Sequence, residues 1–136
     1  MHLHRDLGVL AIRLAFGYQL IAGAWAYASS PSVKMPEFMG YLTTIGFPFP
    51  TVGAYLAIYT ELIGGLLWVL GYQTRLASAL LLINFTVAVM LAHVRIGDSY
   101  ANTFPSLNIW VISLFLLLNG AGRYSVGEWL HQRKWQ

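Results

Sequence analysis

The 136-residue chain contains no cysteine. That excludes thiol–disulfide exchange, thiolate-bound zinc and cysteine-ligated iron–sulfur clusters. Charge is also scarce: Lys, Arg, Asp and Glu make up 10% of the residues, against 57% hydrophobic ones. An average soluble domain is about 25% charged and roughly 45–50% apolar. A chain this poor in charge cannot wet its own surface, so lipid must be part of its solvent. The net charge of +3 comes from scattered residues, with no basic face interleaved with aromatics. No nucleic-acid partner is therefore expected. Histidine is sparse as well. A b-type haem held by two histidines needs two of them inside the apolar region, but His2, His4 and His131 lie in terminal segments and leave His93 alone. No metal site is expected.

What the chain does have is four apolar stretches, at about 7–28, 52–72, 76–94 and 105–123. Each has roughly the 20 residues that cross a ~30 Å hydrocarbon layer. Backbone N–H and C=O groups inside lipid need internal partners, so the stretches are predicted to be helices. The expected fold is all-α: residues 1–136 form a single membrane domain, an integral membrane four-helix bundle. Asp6 is a candidate cap for the first helix. Pro48 and Pro50 precede the second, Gly71 follows it, and Pro105 opens the fourth. Ser125, with Glu128 three residues on, predicts a capping box. It would start a short C-terminal helix carrying Trp129, Leu130 and Trp135, lying at the membrane interface. Ala26-Tyr27-Ala28 resembles a processing site, but Arg13 and Gln19 interrupt the apolar run before it, so the first stretch reads as a retained helix.

Four crossings place the N-terminus, the second loop and the C-terminus on one side, with Arg5, Arg75, Arg123, Arg133 and Lys134. The other side has Lys34 and Arg95. The positive-inside rule then predicts both termini in the cytoplasm and a multi-pass protein of the cell (inner) membrane. Trp68, Tyr72, Tyr124 and Trp129 are assigned to the inner interface. Trp25, Tyr27, Phe49, Phe104 and Trp110 are assigned to the outer one. Residues 29–51 are long for a mere connection. Within them, 35–42 fits a short amphipathic turn, followed by the stiff aromatic re-entry Phe47-Pro48-Phe49-Pro50. This loop either caps the outer mouth of the bundle or anchors it at the interface. Arg13-Leu14-Ala15 and Arg75-Leu76-Ala77 open the first and third helices alike. Two readings stay open here, a duplicated helix hairpin or chance similarity.

Several of these features occur together in one known family. They are Arg13, the run Pro36-Glu37-Phe38 through Gly46-Phe47-Pro48-Phe49-Pro50, Glu61-Leu62-Ile63-Gly64-Gly65 through Gly71, Thr74-Arg75-Leu76-Ala77, His93, and Gly120-Ala121-Gly122-Arg123-Tyr124-Ser125. With these the chain resembles the DoxX family of small four-helix bacterial and archaeal membrane proteins. The resemblance runs over nearly the whole chain. Family members often carry a lysine soon after the Gly late in helix one, where Gly23 here is followed by Ala24-Trp25-Ala26-Tyr27. They often carry an aspartate after Gly-Arg-Tyr-Ser, where this chain has Val126-Gly127-Glu128. The family takes its name from a subunit linked to thiosulfate:quinone oxidoreduction, and other members are associated with quinone resistance and oxidative-stress complexes. The resemblance implies a membrane subunit of a quinone-linked redox system.

Ionisable side chains inside a bilayer are functional candidates by default, and Arg13, Glu61 and His93 qualify. Glu61 should lie about 16 Å in from the inner edge, with Arg13 about 7 Å shallower. The two are the candidate proton-handling pair. Gln19 and Asn84 are candidates to complete a polar cluster with them. Tyr18, Tyr55, Tyr59, Trp68 and Phe85 are candidates to flank Glu61. An apolar, aromatic pocket with a few polar groups suits a quinone head, so Gln19, Tyr59, Asn84 and His93 are the candidate quinone-pocket residues. Each has a plainer alternative. For the polar cluster it is a clasp that fixes helix register, and for His93 an interfacial hydrogen-bonding residue. Gly64-Gly65 with Ala22 and Ala26 should allow close helix approach. Three functions are therefore carried forward: a membrane subunit of a quinone-linked redox system, a non-catalytic anchor or assembly subunit for a partner protein, and a small proton-coupled transporter. A protein partner or homo-oligomer is expected in each case, and the chain itself has no evident electron carrier.

Overall fold

A computed structural model describes residues 2–134, and among them there are helices and connections but no strand. Six α-helices follow one another: α1 His2–Ala28, α2 Pro31–Thr44, α3 Pro50–Leu70, α4 Thr74–Val87, α5 Tyr100–Asn119 and α6 Val126–Arg133. A π-helical segment, Ala88–Val94, continues α4. Four of the helical runs are long and apolar enough to cross a membrane: Leu3–Ala28, Pro50–Leu70, Thr74–Val94 and Tyr100–Asn119. Trp135, expected in the C-terminal helix, lies outside the described residues.

The ends of the helices follow local chemistry, which corrects three expectations. Asp6 does not cap α1. The helix already runs from His2, and Asp6 sits inside it, accepting from the Arg123 N–H at 3.4 Å. Pro105 does not open α5. Ser99, extended at φ −68°, caps the helix by accepting from the Asn102 N–H, and Pro105 sits inside the second turn. The same helix stops at Asn119 rather than near 123, because Gly120 turns the chain with φ 74°. Elsewhere Pro31 and Pro50 occupy first-turn positions of α2 and α3, where a missing N–H costs nothing. Gly71 ends α3 in the left-handed conformation. The Tyr72 N–H reaches the Leu67 carbonyl and the Gly71 N–H reaches that of Trp68, both at 3.1 Å. This is a Schellman closure. Ser125 caps α6 by accepting from the Glu128 N–H, while the Glu128 carboxylate accepts from Gln132 instead of closing the box.

The bundle is built by contacts of α1 with α3, α3 with α4, and α4 with α5, with a lighter contact closing α1 against α5. Successive crossings run antiparallel, so the start of α1 meets the end of α5, and both termini share one end of the bundle. Backbones approach closely where Gly17 of α1 faces Gly65 of α3. A Cβ on Gly65 would stand 2.8 Å from the Gly17 carbonyl oxygen. Two apolar cores result. One, around Trp68, Leu81, Ile109 and Leu116, holds the four crossings together. The other, around Met35, Leu42, Ala54 and Ile58, fixes α2 across the opposite end. The 29–51 connection therefore contains a full helix rather than one turn. Met35, Phe38 and Leu42 recur at helical spacing and turn inward together.

The outside is as apolar as the inside: Leu14, Leu56, Ile63, Leu76 and Ile83 are all exposed. Exposed leucine and isoleucine around helices of this length define a lipid-facing surface. Two aromatics depart from their expected places. Trp68 is fully buried and donates to Ser78 at 3.0 Å, so it is core rather than interface. Trp110 lies halfway along α5 and donates to Thr86 at 2.8 Å.

Candidate functional site

Glu61 lies midway along α3 and Asn84 midway along the Thr74–Val94 run, and the two face each other. The Asn84 amide donates to Glu61 Oε1 at 3.1 Å. The α3–α4 contact is short because a small residue supports it: a Cβ on Gly64 would meet Leu81 at 2.8 Å. Glu61 opens onto a cavity of about 370 Å³ between α3, α4 and the π-helical segment, with α2 as its roof. That volume falls within the roughly 300–1,000 Å³ of ordinary ligand pockets. The walls are almost wholly apolar: Leu56, Ile83 and Leu91 from the crossings, and the rings of Phe38, Tyr41 and Phe47 from the roof and the re-entry loop. The Tyr41 hydroxyl donates to the Ala92 carbonyl at 3.3 Å and ties roof to wall. Among the described residues, Thr74 Oγ1 is the buried side-chain polar atom left unpartnered, so Glu61 Oε2, which also has no partner, is open to the cavity. A shallower recess of about 340 Å³, holding Tyr59 and Tyr55, shares Leu56, Thr60 and Leu80 with this cavity and prolongs it along α3 and α4.

The expected Glu61–Arg13 pair is absent. Arg13 is 1% exposed, and its guanidinium points toward the terminal end of the bundle. It donates to four backbone carbonyls: Trp68 at 2.8 Å, Val69 at 3.1 Å, Ala121 at 2.7 Å and Tyr124 at 2.8 Å. The reason is electrostatic. The last carbonyls of a helix lack intrahelical partners and form the negative end of its dipole. The end of α3 and the link after α5 present such acceptors together, and a guanidinium with five N–H donors satisfies them better than one distant carboxylate would. Trp68 lies seven residues beyond Glu61 along α3, about 10 Å of helical rise. No cation pairs with Glu61 among the described residues.

The other candidates divide. Asn84 is in the site. Gln19 is not: it lies exposed on α1, and α1 packs on α3 rather than α4. Tyr59 lines the adjoining recess, stacked on Tyr55 with ring centroids 6.3 Å apart. Of the proposed aromatic flank, Tyr18 is 71% exposed, while Trp68 and Phe85 belong to the main core. His93 sits beyond the cavity, on the π-helical segment. Its Nδ1 lies 2.9 Å from Asp98 and its Nε2 3.3 Å from Ser106. This has the connectivity of a hydrolytic triad, but Ser106 is inside α5, where its N–H belongs to the helical ladder. The bonds tie the turn at 95–99 to α5. Asp98 also accepts from the Asn102 side chain and the Ser99 N–H, both at 2.8 Å. Hydrogen bonds from Asn102, then His93 and Ser99, hold its carboxyl below the usual aspartate range.

Sequence reasoning missed Phe38, Tyr41 and Phe47 as cavity residues. The aromatic re-entry motif was the signal, and the capping role for the 29–51 loop is the one the structure adopts.

Fold and site together define a multi-pass α-helical membrane protein with a carboxyl-bearing cavity inside its span. The DoxX family model matches residues 8–94, well over half of the chain, and the chain belongs to that family. No curated protein and no solved structure matches it.

Proposed function

We propose that this chain is the quinone-binding membrane subunit of a redox system, and that the cavity at Glu61 receives the quinone head. The observation that carries the reading is a carboxyl group with no cation beside it, held by Asn84 and open to an apolar cavity inside the span. An unpaired ionisable group in a membrane interior is costly and is kept where protons or substrates pass. Quinone reduction takes up protons along with electrons. Glu61 is placed to exchange a proton with a quinone oxygen, and Asn84 orients its carboxyl. The apolar walls exclude water around the ring, and the recess beside Tyr59 offers an apolar path for a prenyl tail. The electrons come from a protein partner, because the chain has no cysteine and no paired haem histidines. The membrane is the cell membrane, with the arginine-rich terminal end facing the cytoplasm.

The anchoring role is favoured by one separate feature. α6 exposes Trp129 and Leu130, and Arg133 lies 4.0 Å from the Trp129 ring centroid, which suits a surface-lying docking helix. The experiment that separates the two readings is quinone extracted per chain from protein purified in nanodiscs. The redox-subunit reading expects about one quinone per wild-type chain and about tenfold less affinity in Glu61→Leu, which removes the hydrogen bond from the protonated carboxyl to the quinone oxygen. Quinone absent from both samples overturns it in favour of anchoring.

A further inference from the structure

A second cavity lies at the terminal end of the bundle, away from Glu61. It is an open cleft of about 730 Å³ where the start of α1, the α3–α4 turn and the α5–α6 link converge. Arg5, Arg75 and Arg123 line it, one from each of these three segments. Two carboxylates line it as well, and neither neutralises an arginine side chain. Asp6 accepts from the Arg123 backbone N–H, and Glu128 accepts from Gln132. Among the described residues the ion pairs are Lys34–Glu37 and His93–Asp98, both elsewhere.

The first turn of α4 also faces this cleft. The residue before it, Gln73, has φ 47°, and no side chain caps the turn. The N–H groups of Thr74, Arg75 and Leu76 have no acceptor among the described residues. Thr74, the first residue of α4, lines the cleft at 4% exposure, and its hydroxyl is the buried side-chain polar atom without a hydrogen-bond partner. A buried hydroxyl without a partner costs free energy, and native structures leave few of them. Opposite it, the chain turns through Gly120 and Gly122, both at positive φ, and the Arg75 guanidinium lies over Gly120.

We propose that this cleft binds a phosphate group, seated on the first turn of α4 between Arg75 and Arg123. The free N–H groups and the helix dipole attract an anion there. Arginine forks match phosphate oxygens in pairs. Thr74 Oγ1 is closed off from the cleft as the side chain stands, and a turn about χ1 brings it to a phosphate oxygen, the acceptor it lacks. The cleft lies at helix ends, the depth of lipid phosphates, and basic pockets between transmembrane helices are known to hold anionic headgroups. The phosphate belongs either to an anionic phospholipid or to a soluble phosphate compound.

Native mass spectrometry in mixed phosphatidylglycerol and phosphatidylcholine micelles tests the lipid source. Thermal unfolding in neutral detergent, with inorganic phosphate against equal ionic strength of chloride, tests the soluble one. The double variant Arg5→Gln/Arg123→Gln changes exposed side chains and leaves the bundle intact. Wild type should retain phosphatidylglycerol about tenfold over phosphatidylcholine, or show a phosphate-specific rise in melting temperature, and the double variant should lose that preference. Thr74→Val supplies the sharper sign. It should melt no lower than wild type without ligand, because it removes an unpaired hydroxyl, yet gain less from phosphatidylglycerol or phosphate. Retention of phosphatidylglycerol without a phosphate effect assigns a lipid, and the reverse assigns a soluble phosphate. Neither effect in wild type, or equal effects in the double variant, overturns the site.

Discussion

Arg13 and Glu61 are both ionisable groups set within lipid-spanning helices, and the structure treats them in opposite ways. Arg13 is sealed: it is 1% exposed and bonded to four carbonyls on two segments. Glu61 is half open: one oxygen accepts from Asn84 and the other faces a cavity. A charged group whose hydrogen-bonding capacity is largely consumed by the fold stabilises the fold, whereas one left with spare capacity is available to a ligand. Arg75 stands between the two: it donates at 3.4 Å to the Leu118 carbonyl near the end of α5, a single bond that leaves most of its donors free.

The largest test of this contrast is Arg13→Leu. It strands carbonyls of Trp68, Val69, Ala121 and Tyr124 and should cost about 3 kcal/mol or more, visible as lost folded protein or a large drop in melting temperature. A variant that melts like wild type would remove the structural role assigned to Arg13. Next is Gly65→Ala, which forces a Cβ against the Gly17 carbonyl and should cost about 1–3 kcal/mol by thermal unfolding in detergent. Glu61→Gln should do the reverse of Arg13→Leu. Its amide oxygen still accepts from Asn84, so stability should change by less than about 1 kcal/mol while proton exchange with the quinone is lost. A Glu61→Gln protein that fails to fold would make Glu61 a second structural clasp and erase the contrast.

The smallest effect concerns the turn at 95–99. The Asp98 carboxyl is held below its ordinary value of 3.8, so the folded state favours its charged form. The resulting stabilisation is fully present above the unfolded aspartate pKa and is lost as pH falls through the lowered folded value. The protection of amides in residues 95–99, relative to their intrinsic exchange at each pH, should therefore hold at mildly acidic pH and fall only below about 4. Asp98→Asn should abolish that pH step, and a step that persists would place the titration elsewhere.

Much of the scaffold could be read locally. The Pro50 entry, the Gly71 stop and the Ser125 cap each depend on a few neighbouring residues. Where reading failed, the error was also local in origin. Pro105 reads as a start because proline favours first turns, but Ser99 caps the helix more than one turn ahead of it. The candidate site was legible in Glu61 and Asn84, whose side chains are costly in lipid wherever they point. It was not legible in Gln19, which resembles them in depth but lies on a face turned away from α4.

The sequence alone determined that the chain crosses a membrane through four helices, since hydropathy and helix length are sums over adjacent residues. It also determined that a carboxyl group would lie within the span. Only the tertiary structure decided what each charged group meets. Arg13 bonds residues 55 to 111 positions away in the chain, and the roof over Glu61 comes from a helix that sequence reading reduced to a single turn. A long side chain takes its partners from whichever helix ends the packing brings within reach. That choice rests on close contacts such as Gly17 against Gly65, which no local pattern encodes.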